Sequence, residues 1–178
     1  MAEKVTLPEG GCTTVQAWEI FDGLPAARVD EVISGRWRGS ELPTGHPMDG
    51  ALSESGWYGK QFDAPDRVHP LLFTDERGTV FAVDPRRVPL SLVGKFPARW
   101  LRPVRNNLRA LAPALRTRRP TARLRDIEYR GVVSAAMVYD HQPIIDHFRR
   151  VDDTTLLGVM DMRGWSQPYF FVLNRAAS

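Results

Sequence analysis

Cysteine is nearly absent from the sequence, because Cys12 is the single cysteine among 178 residues. One cysteine excludes an internal disulfide framework and any metal site built from several thiolates. Long apolar runs are missing too: no window approaches the ~18 apolar residues of a membrane-spanning helix, and the first residues lack the apolar core of a secretory signal. We therefore expect a cytoplasmic protein without a membrane span.

Signature motifs of several enzyme classes are also missing. There is no P-loop, no dinucleotide-binding glycine fingerprint and no Gly-x-Ser-x-Gly elbow, which disfavours NTPases, Rossmann-type enzymes and α/β-hydrolases. Metal sites need ligands that converge at helpful spacing, and the four histidines show no such spacing. They are His46, His69, His141 and His147. We therefore expect no metal site and no cofactor.

The remaining composition is ordinary for a soluble globular domain. Hydrophobic residues make up 43% and charged residues 25% of the chain, and a chain of this length can bury a core that needs no cross-links. We predict a single domain over residues 1–178. Its consecutive parts are an N-terminal helical element (1–34), a first set of strands (35–83), a basic proline-rich segment (84–120) and a C-terminal antiparallel meander (121–178).

The net charge of +3 is concentrated in the proline-rich segment 84–120. Ten lysines and arginines face one acid there, Asp84, and the prolines forbid long regular elements. Such a cluster could bind nucleic acid or an anionic membrane surface. Its apolar residues, however, approximate one face of a helix broken at Pro113, and apolar groups at that spacing usually pack on something. We interpret the segment as a helical or irregular cover that contributes Trp100 to ligand binding, and we expect no nucleic-acid partner.

Local signals predict the short elements of the N-terminal half. Thr13-Thr14 can cap a helix that ends at Gly23. Two predicted strands, His69–Thr74 and Thr79–Val83, flank the turn-forming residues Asp75-Glu76-Arg77-Gly78. This pattern is typical of a β-hairpin.

The stretch from Gly35 to Phe62 uses glycine, tryptophan and isolated polar groups in a pattern that no ordinary helix or strand requires. Gly35, Trp37 and Gly39 alternate at the strand period and therefore share one face of a strand. The order Trp57-Tyr58-Gly59-Lys60 places a cation beside aromatic surface. We interpret the stretch as the wall of a binding site. Tryptophans that fill a core and glycines that allow bends are the alternative.

These motifs resemble those of the GXWXG protein family. The resemblance rests on Gly35-Arg-Trp37-Arg-Gly39, Thr44-Gly45-His46, Trp57-Tyr58-Gly59-Lys60 and Val68-His-Pro70-Leu-Leu. The stretch from Tyr129 to Arg175 is similar to the uncharacterised domain that usually follows in this family. That similarity rests on Met137-Val-Tyr139-Asp140, Pro143-Ile144-Ile145-Asp146-His-Phe148-Arg149 and Gly158-Val-Met160-Asp161.

The resemblance implies a mainly β fold, an antiparallel calycin-like β-barrel. The GxWxG opening also resembles that of nitrobindin and of the fatty-acid-binding barrels. Nitrobindin-type barrels hold haem on one histidine. Because neither His141 nor His147 lies in a matching motif, haem is the weakest of the ligand alternatives.

Five short strands predict a meander in the last third of the chain. They are Leu124–Arg130, Val132–Tyr139, Ile144–Val151, Thr155–Met162 and Pro168–Leu173. Tight turns make successive strands antiparallel neighbours, and side chains directly opposite share a face. The predicted register places Met137 opposite Asp146, and it places Asp161 opposite Ile144. One face then holds two carboxylates and the phenol of Tyr139 on an apolar wall, although a one-residue bulge would swap the faces.

We predict that this face lines an interior that binds a small hydrophobic molecule. Burying either carboxylate unpaired would cost several kcal/mol, so each needs a raised pKa or a partner such as Lys60 or His46. The predicted catalytic residues are Asp146, Asp161, Lys60, His46 and Tyr139. The predicted ligand-binding residues are Trp37, Trp57, Met137, Phe148 and Trp100.

Two classes of function follow from this wall. The first is a cofactor-independent enzyme of the isomerase, lyase or cyclase kind, in which a carboxylate moves a proton of a hydrophobic, carbonyl-bearing molecule. The second is a non-catalytic carrier of a fatty acid or other lipid, in which Lys60 and arginines hold a carboxylate. A polar cluster that only fixes the sheet register is the structural alternative, and His46 then only anchors a turn. Two carboxylates on an apolar wall favour the enzyme. The sequence leaves the oligomeric state open, and a homodimer is one possibility.

Overall fold

The computed structural model describes residues 5–88 and 112–177. Within these ranges the helices are α1 (Thr14–Gly23), α2 (Val29–Val32) and α3 (Ala51–Ser55). The strands are β1 (Gly35–Glu41), β2 (Trp57–Ala64), β3 (Arg67–Thr74), β4 (Val80–Ala82), β5 (Ala122–Tyr129), β6 (Val132–Tyr139), β7 (Ile144–Asp152), β8 (Thr155–Met162) and β9 (Tyr169–Arg175). Two 3₁₀ turns span Pro85–Arg87 and Ala112–Leu115. Trp100 and most of the predicted covering segment lie outside the described residues.

The nine strands form one antiparallel sheet that closes into a ring. Their order is β2-β1-β9-β8-β7-β6-β5-β3-β4, and β2 also pairs with β3, which joins the two sides of the sheet. β3 meets β5 at the pair Val68 and Ala122, and the short β4 continues along the other half of β3. The predicted mainly β, antiparallel fold is therefore confirmed. Its relationship to the calycins stays a prediction.

α1 begins and ends where its sequence predicts. Thr13 is the N-cap: its hydroxyl accepts a hydrogen bond from the backbone N–H of Gln16 at 3.2 Å, while Gln16 Oε1 accepts one from the backbone N–H of Thr13 at 3.0 Å. This reciprocal pair satisfies two donors that a helix start leaves free. The helix ends at Gly23, as expected. α3, by contrast, lies in a stretch for which no helix was predicted.

The five C-terminal strands agree with the predicted meander. β6 and β8 have the predicted bounds, and the other three differ by one or two residues at their ends. Met137 is opposite Asp146 across β6 and β7, as predicted.

The register between β7 and β8 differs from the prediction by one residue. Asp161 is opposite Ile145 rather than Ile144. The turn between the two strands is Asp153-Thr154, one residue later than expected, and a bulge near Arg150 shifts the pairing once more. Since side chains alternate along a strand, this offset reverses the two faces of β8.

Asp161 therefore lies on the outer face, where it is exposed, and its predicted place on the interior wall is wrong. Leu157 and Val159 move to the outer face with it, where they pack beneath α1. Leu156 and Met160 take the inner positions instead.

Two apolar clusters lie on opposite sides of the sheet. The larger one lies inside the ring and includes the side chains of Trp37, Phe62, Phe148 and Phe171. The smaller one lies between the outer face and α1, and it contains Phe21 and Phe170 with Leu157 and Val159.

A short N-terminal segment completes the ring where two strands separate. β6 and β7 pair at three positions near their junction, and beyond these the chain at Pro25–Ala27 runs between them. Ala26 forms a bridge with Arg149, and the backbone N–H of Ala135 donates to Ala27 O at 2.6 Å. Ser134 Oγ accepts from the N–H of Ala27 at 2.9 Å. The backbone groups that the separated strands would leave unpaired are thus satisfied.

The two described ends of the predicted covering segment meet beside β4. Val83 forms a bridge with Arg116, and the backbone N–H of Asp84 donates to Leu115 O at 3.1 Å. The Arg116 guanidinium lies 4.2 Å from the centre of the Phe81 ring and 2.9 Å from Asp75 Oδ2. The described residues Asp84 and Leu115 therefore lie at the same edge of the sheet.

Candidate functional site

A buried ion pair lies inside the ring. Lys60 Nζ on β2 is 2.8 Å from Asp146 Oδ2 on β7, and the two side chains are 4% and 1% exposed. Asp146 Oδ1 has no hydrogen-bond donor among the described residues. Lys60 Nζ also donates to Pro70 O at 3.2 Å. Burial raises the pKa of the Asp146 carboxyl, and the charge of Lys60 opposes that shift.

Aromatic rings surround the ammonium group of Lys60. Its Nζ lies 4.9 Å from the ring centre of Phe171, 5.8 Å from that of Tyr139 and 5.9 Å from that of Trp57. The indole N–H of Trp57 is buried and has no acceptor among the described residues. The interior thus contains an unpaired donor and an unpaired acceptor, both on side chains that contact Lys60.

Two glycines make room for the rings of this wall. A Cβ on Gly39 would lie 2.1 Å from the Trp57 ring, and a Cβ on Gly158 would lie 2.4 Å from the Phe171 ring. The last glycine of the GxWxG motif, Gly39, therefore makes room for the indole of Trp57. Close packing of this kind holds the rings in place.

Lys60 points inward because β2 is irregular at Gly59. In a regular strand Trp57 and Lys60 would lie on opposite faces, but the pairing of β2 with β3 shifts on both sides of Gly59. Gly59 has φ +145°, a conformation that side chains rarely adopt. This bulge brings both residues to the inner face.

Tyr139 completes the polar part of the interior. Burial and the negative charge of Asp146 raise the pKa of its phenol well above the ordinary value. The hydroxyl therefore stays protonated at neutral pH and is a hydrogen-bond donor.

His46 lies in a different environment, in the loop after β1. Its Nδ1 accepts a hydrogen bond from the backbone N–H of Met48 at 3.0 Å. Its ring stacks on Trp165 at 5.2 Å and meets the edge of Tyr169 at 5.3 Å, and burial lowers its pKa. These contacts match the turn-anchoring alternative.

Three of the predicted ligand-binding residues, Trp57, Phe148 and Met137, lie near the Lys60–Asp146 pair, whereas Trp37 has its indole N–H bonded within the core. Trp57 and Phe148 belong to the aromatic wall, where Phe148 lies 6.2 Å from Phe171, ring centre to ring centre. Met137 is fully buried beside Asp146. Trp37 is buried in the core, with its Nε1–H donated to Val32 O at 3.0 Å. Its indole N–H is therefore occupied within the protein.

Sequence reasoning missed two contributors to this part of the fold, Phe171 and Glu41. Phe171 is the ring nearest the ammonium of Lys60 among the described residues; its alternation with Tyr169 and Leu173 along β9 was the available signal. Glu41 accepts hydrogen bonds from the hydroxyl of Tyr169 and from the backbone N–H of Leu52. The carboxylate thereby fixes the start of α3.

A buried histidine on the outer face provides a measurable pH dependence. His147 stacks on Tyr129 with ring centres 3.7 Å apart, and burial, helped by the positive charge of Arg149, lowers its pKa from 6.5 to about 4. Between pH 6.5 and pH 4 this histidine is therefore protonated in the unfolded chain but mostly neutral in the folded chain. The folded protein loses stability as the pH falls toward 4.

Replacing this histidine should reduce the loss of stability in acid. In the His147→Phe variant, which keeps a stacked ring, the decrease in unfolding free energy between pH 7 and pH 4.5 should be smaller by about 2 kcal/mol. Urea denaturation at the two pH values measures it. His141→Phe, at an exposed histidine, is the matched control. An equal acid dependence in all three proteins would contradict the assignment.

Metal-ligand clusters and long apolar helices are both absent from the described residues. Within 5–88 and 112–177, no group of three or more His, Cys, Asp or Glu side chains could hold a metal ion. The same ranges contain no helix of the length and apolar character that a membrane crossing needs.

The fold and its buried pair define a class of mainly β proteins: a closed antiparallel sheet around an apolar interior that contains one lysine–aspartate pair. The family model of the GXWXG proteins matches residues 19–78, and that of a domain of unknown function, DUF4334, matches residues 120–175. The chain belongs to the GXWXG family and carries this second domain.

A solved structure has a similar fold. The crystal structure of a protein from Thermomonospora curvata has 34% sequence identity to the chain and a TM-score of 0.69, and the match covers 94% of this chain and 90% of the other. No protein with a curated description matches the chain significantly.

Proposed function

We propose that the protein binds a small hydrophobic molecule inside the ring and catalyses a proton transfer on it without a cofactor. Asp146 is the general base or acid in this proposal, and Lys60 and Tyr139 stabilise charge that develops on the substrate. The reaction is of the isomerase, lyase or cyclase kind. Asp161 has no part in it, because it lies outside the ring.

The Lys60–Asp146 pair is the observation that carries the proposal. Apolar residues of similar volume usually stabilise a core as well as a buried ion pair does, or better, so such a pair is weak evidence for a role in stability. Asp146 Oδ1 and the indole N–H of Trp57 are also buried without partners among the described residues. A bound molecule with one donor and one acceptor would satisfy both groups.

The pairing also favours proton transfer over anion capture. A carrier of fatty acids needs a free cation for the carboxylate of its ligand, whereas the described contacts of Lys60 already include a carboxylate at 2.8 Å. A carboxyl group with a raised pKa in apolar surroundings is suited to take and return a proton.

Hydrogen–deuterium exchange in D₂O tests the proposal without a known substrate. Cyclohexanone and 2-decalone serve as probes, and proton NMR follows the loss of the C–H signals next to the carbonyl. The native protein should accelerate exchange over buffer, and Asp146→Asn should slow it by at least about 100-fold, in line with general acid–base catalysis. Circular dichroism confirms that each variant is folded.

Binding of oleate provides the second arm of the test. Exchange at the buffer rate for both probes, together with oleate binding that Lys60→Met abolishes, would overturn the enzyme and support the lipid carrier. Asp161→Asn is the matched control variant, since its carboxylate lies outside the ring and should leave the exchange rate unchanged.

A further inference from the structure

We infer that Lys60 forms a covalent Schiff base with an aldehyde or ketone, which makes carbonyl compounds the substrate class of the interior site. The inference rests on the proposed function, because it assigns the chemistry to the same buried pair of side chains. It adds a nucleophile where the proposal needs only an acid and a base.

The surroundings of Lys60 suit a nucleophilic amine. Its side chain is 4% exposed, and its described neighbours are aromatic rings, the Pro70 carbonyl and the Asp146 carboxylate. An amine becomes a nucleophile once it loses a proton. Asp146, at 2.8 Å, is an acceptor for that proton.

The polar groups around Lys60 also suit a carbonyl substrate. The buried indole N–H of Trp57, which has no described acceptor, can donate to a carbonyl oxygen. The Phe171 and Tyr139 rings provide flat apolar surface beside the same nitrogen. Flat, unsaturated or aromatic carbonyl compounds therefore fit better than branched ones.

The covalent step balances with these two side chains alone. Asp146 takes one proton from the Lys60 ammonium, and the neutral amine attacks the carbonyl carbon, which forms the C–N bond and moves the π electrons to oxygen. A proton passes from nitrogen to that oxygen and gives a neutral carbinolamine. Asp146 then returns its proton to the hydroxyl, the C–O bond breaks and water leaves, while the nitrogen lone pair forms the C=N bond of an iminium ion.

The iminium ion connects this step to the proposed proton transfer. Its positive nitrogen withdraws electrons from the neighbouring carbon, so a C–H bond there becomes more acidic than in the free carbonyl compound. Asp146, again a carboxylate, is beside that position and can take the proton. The Schiff base would thus lower the barrier for the reaction that Asp146 performs.

Reductive trapping tests the Schiff base directly. The chain has three lysines, Lys4, Lys60 and Lys95, which makes the assignment simple. The full chain is incubated with benzaldehyde and sodium cyanoborohydride, digested, and mapped by mass spectrometry. Each modified lysine gains the mass of benzaldehyde less one oxygen atom. In the native protein Lys60 should react at least about tenfold faster than Lys4 and Lys95, as expected for an activated amine.

Two controls separate activation from simple access. In guanidinium chloride the three lysines should react at similar rates. The double variant Lys4→Arg/Lys95→Arg should keep the fast reaction, and Lys60→Met should lose it while circular dichroism shows a folded protein. A Lys60 that reacts no faster than Lys4 and Lys95 in the native chain would overturn the inference.

The outcome also distinguishes this inference from the proposed function. If exchange of cyclohexanone protons depends on Asp146 and persists in Lys60→Met, the acid–base function is supported and the Schiff base is contradicted. If neither exchange nor trapping occurs, the proposed function and the Schiff-base inference are both contradicted.

Discussion

Replacing Asp146 with asparagine should lower the free energy of unfolding by about 3–5 kcal/mol, because it leaves the Lys60 ammonium buried without its counter-charge. The expected loss is large since both side chains are almost inaccessible to water. Urea denaturation followed by circular dichroism measures the change. Asp66→Asn, which breaks the exposed pair with Arg125, is the control and should move the midpoint little.

Removing both charges should restore most of that stability. In the double variant Lys60→Met/Asp146→Leu, apolar side chains of similar volume replace the pair, and such exchanges are usually neutral or stabilising. The double variant should therefore be more stable than Asp146→Asn, yet it should accelerate neither exchange nor trapping. A double variant as unstable as the single one would favour the alternative in which the pair only fixes the sheet register.

Replacing Gly59 with alanine should destabilise the protein by more than about 4 kcal/mol, the range in which single substitutions are exceptional. A Cβ at this position would lie 2.0 Å from the carbonyl oxygen of Trp37 and 2.7 Å from the backbone nitrogen of Gly39. Both are main-chain atoms of β1, so they cannot move without breaking the pairing of β1 with β2. The φ of +145° adds backbone strain.

Gly35→Ala provides the matched control for this substitution. Gly35 also has a positive φ, +83°, but no atom lies within 4 Å of the added Cβ. Strain alone should then cost about 1–2 kcal/mol. Urea denaturation of the two variants separates the cost of backbone strain from the cost of the steric clash. Equal losses of unfolding free energy would contradict the clash between a Cβ at position 59 and the backbone of β1.

Much of the C-terminal sheet could be predicted because its signal is local. Alternating apolar residues and turn-forming residues define β6 and β8 with the observed bounds. A tight turn at the end of β6 also fixes the register that places Met137 opposite Asp146. Side-chain periodicity and turn chemistry suffice for such elements.

The error in the register of β8 arose where the backbone departs from regular pairing, and a second irregularity at Gly59 was not foreseen. The bulge near Arg150 moved Asp161 to the outer face, and the bulge at Gly59 brought Lys60 inward. A bulge depends on contacts between strands, and no side-chain pattern within one strand encodes it. The proximity of Lys60 to a buried Asp146 was nevertheless expected from charge balance, while the catalytic roles of both stay predictions.

The contacts of Pro25–Ala27 with β6 and β7 can form only after both strands have been synthesised. The hydrogen bond between Ala27 and Ser134 joins residues 107 positions apart, and contacts between residues so distant in sequence form slowly. On the ribosome, this early segment emerges long before the two strands that receive it. The nascent chain therefore carries open strand edges until its last third is synthesised, and those edges are its most vulnerable surface for aggregation and chaperone capture.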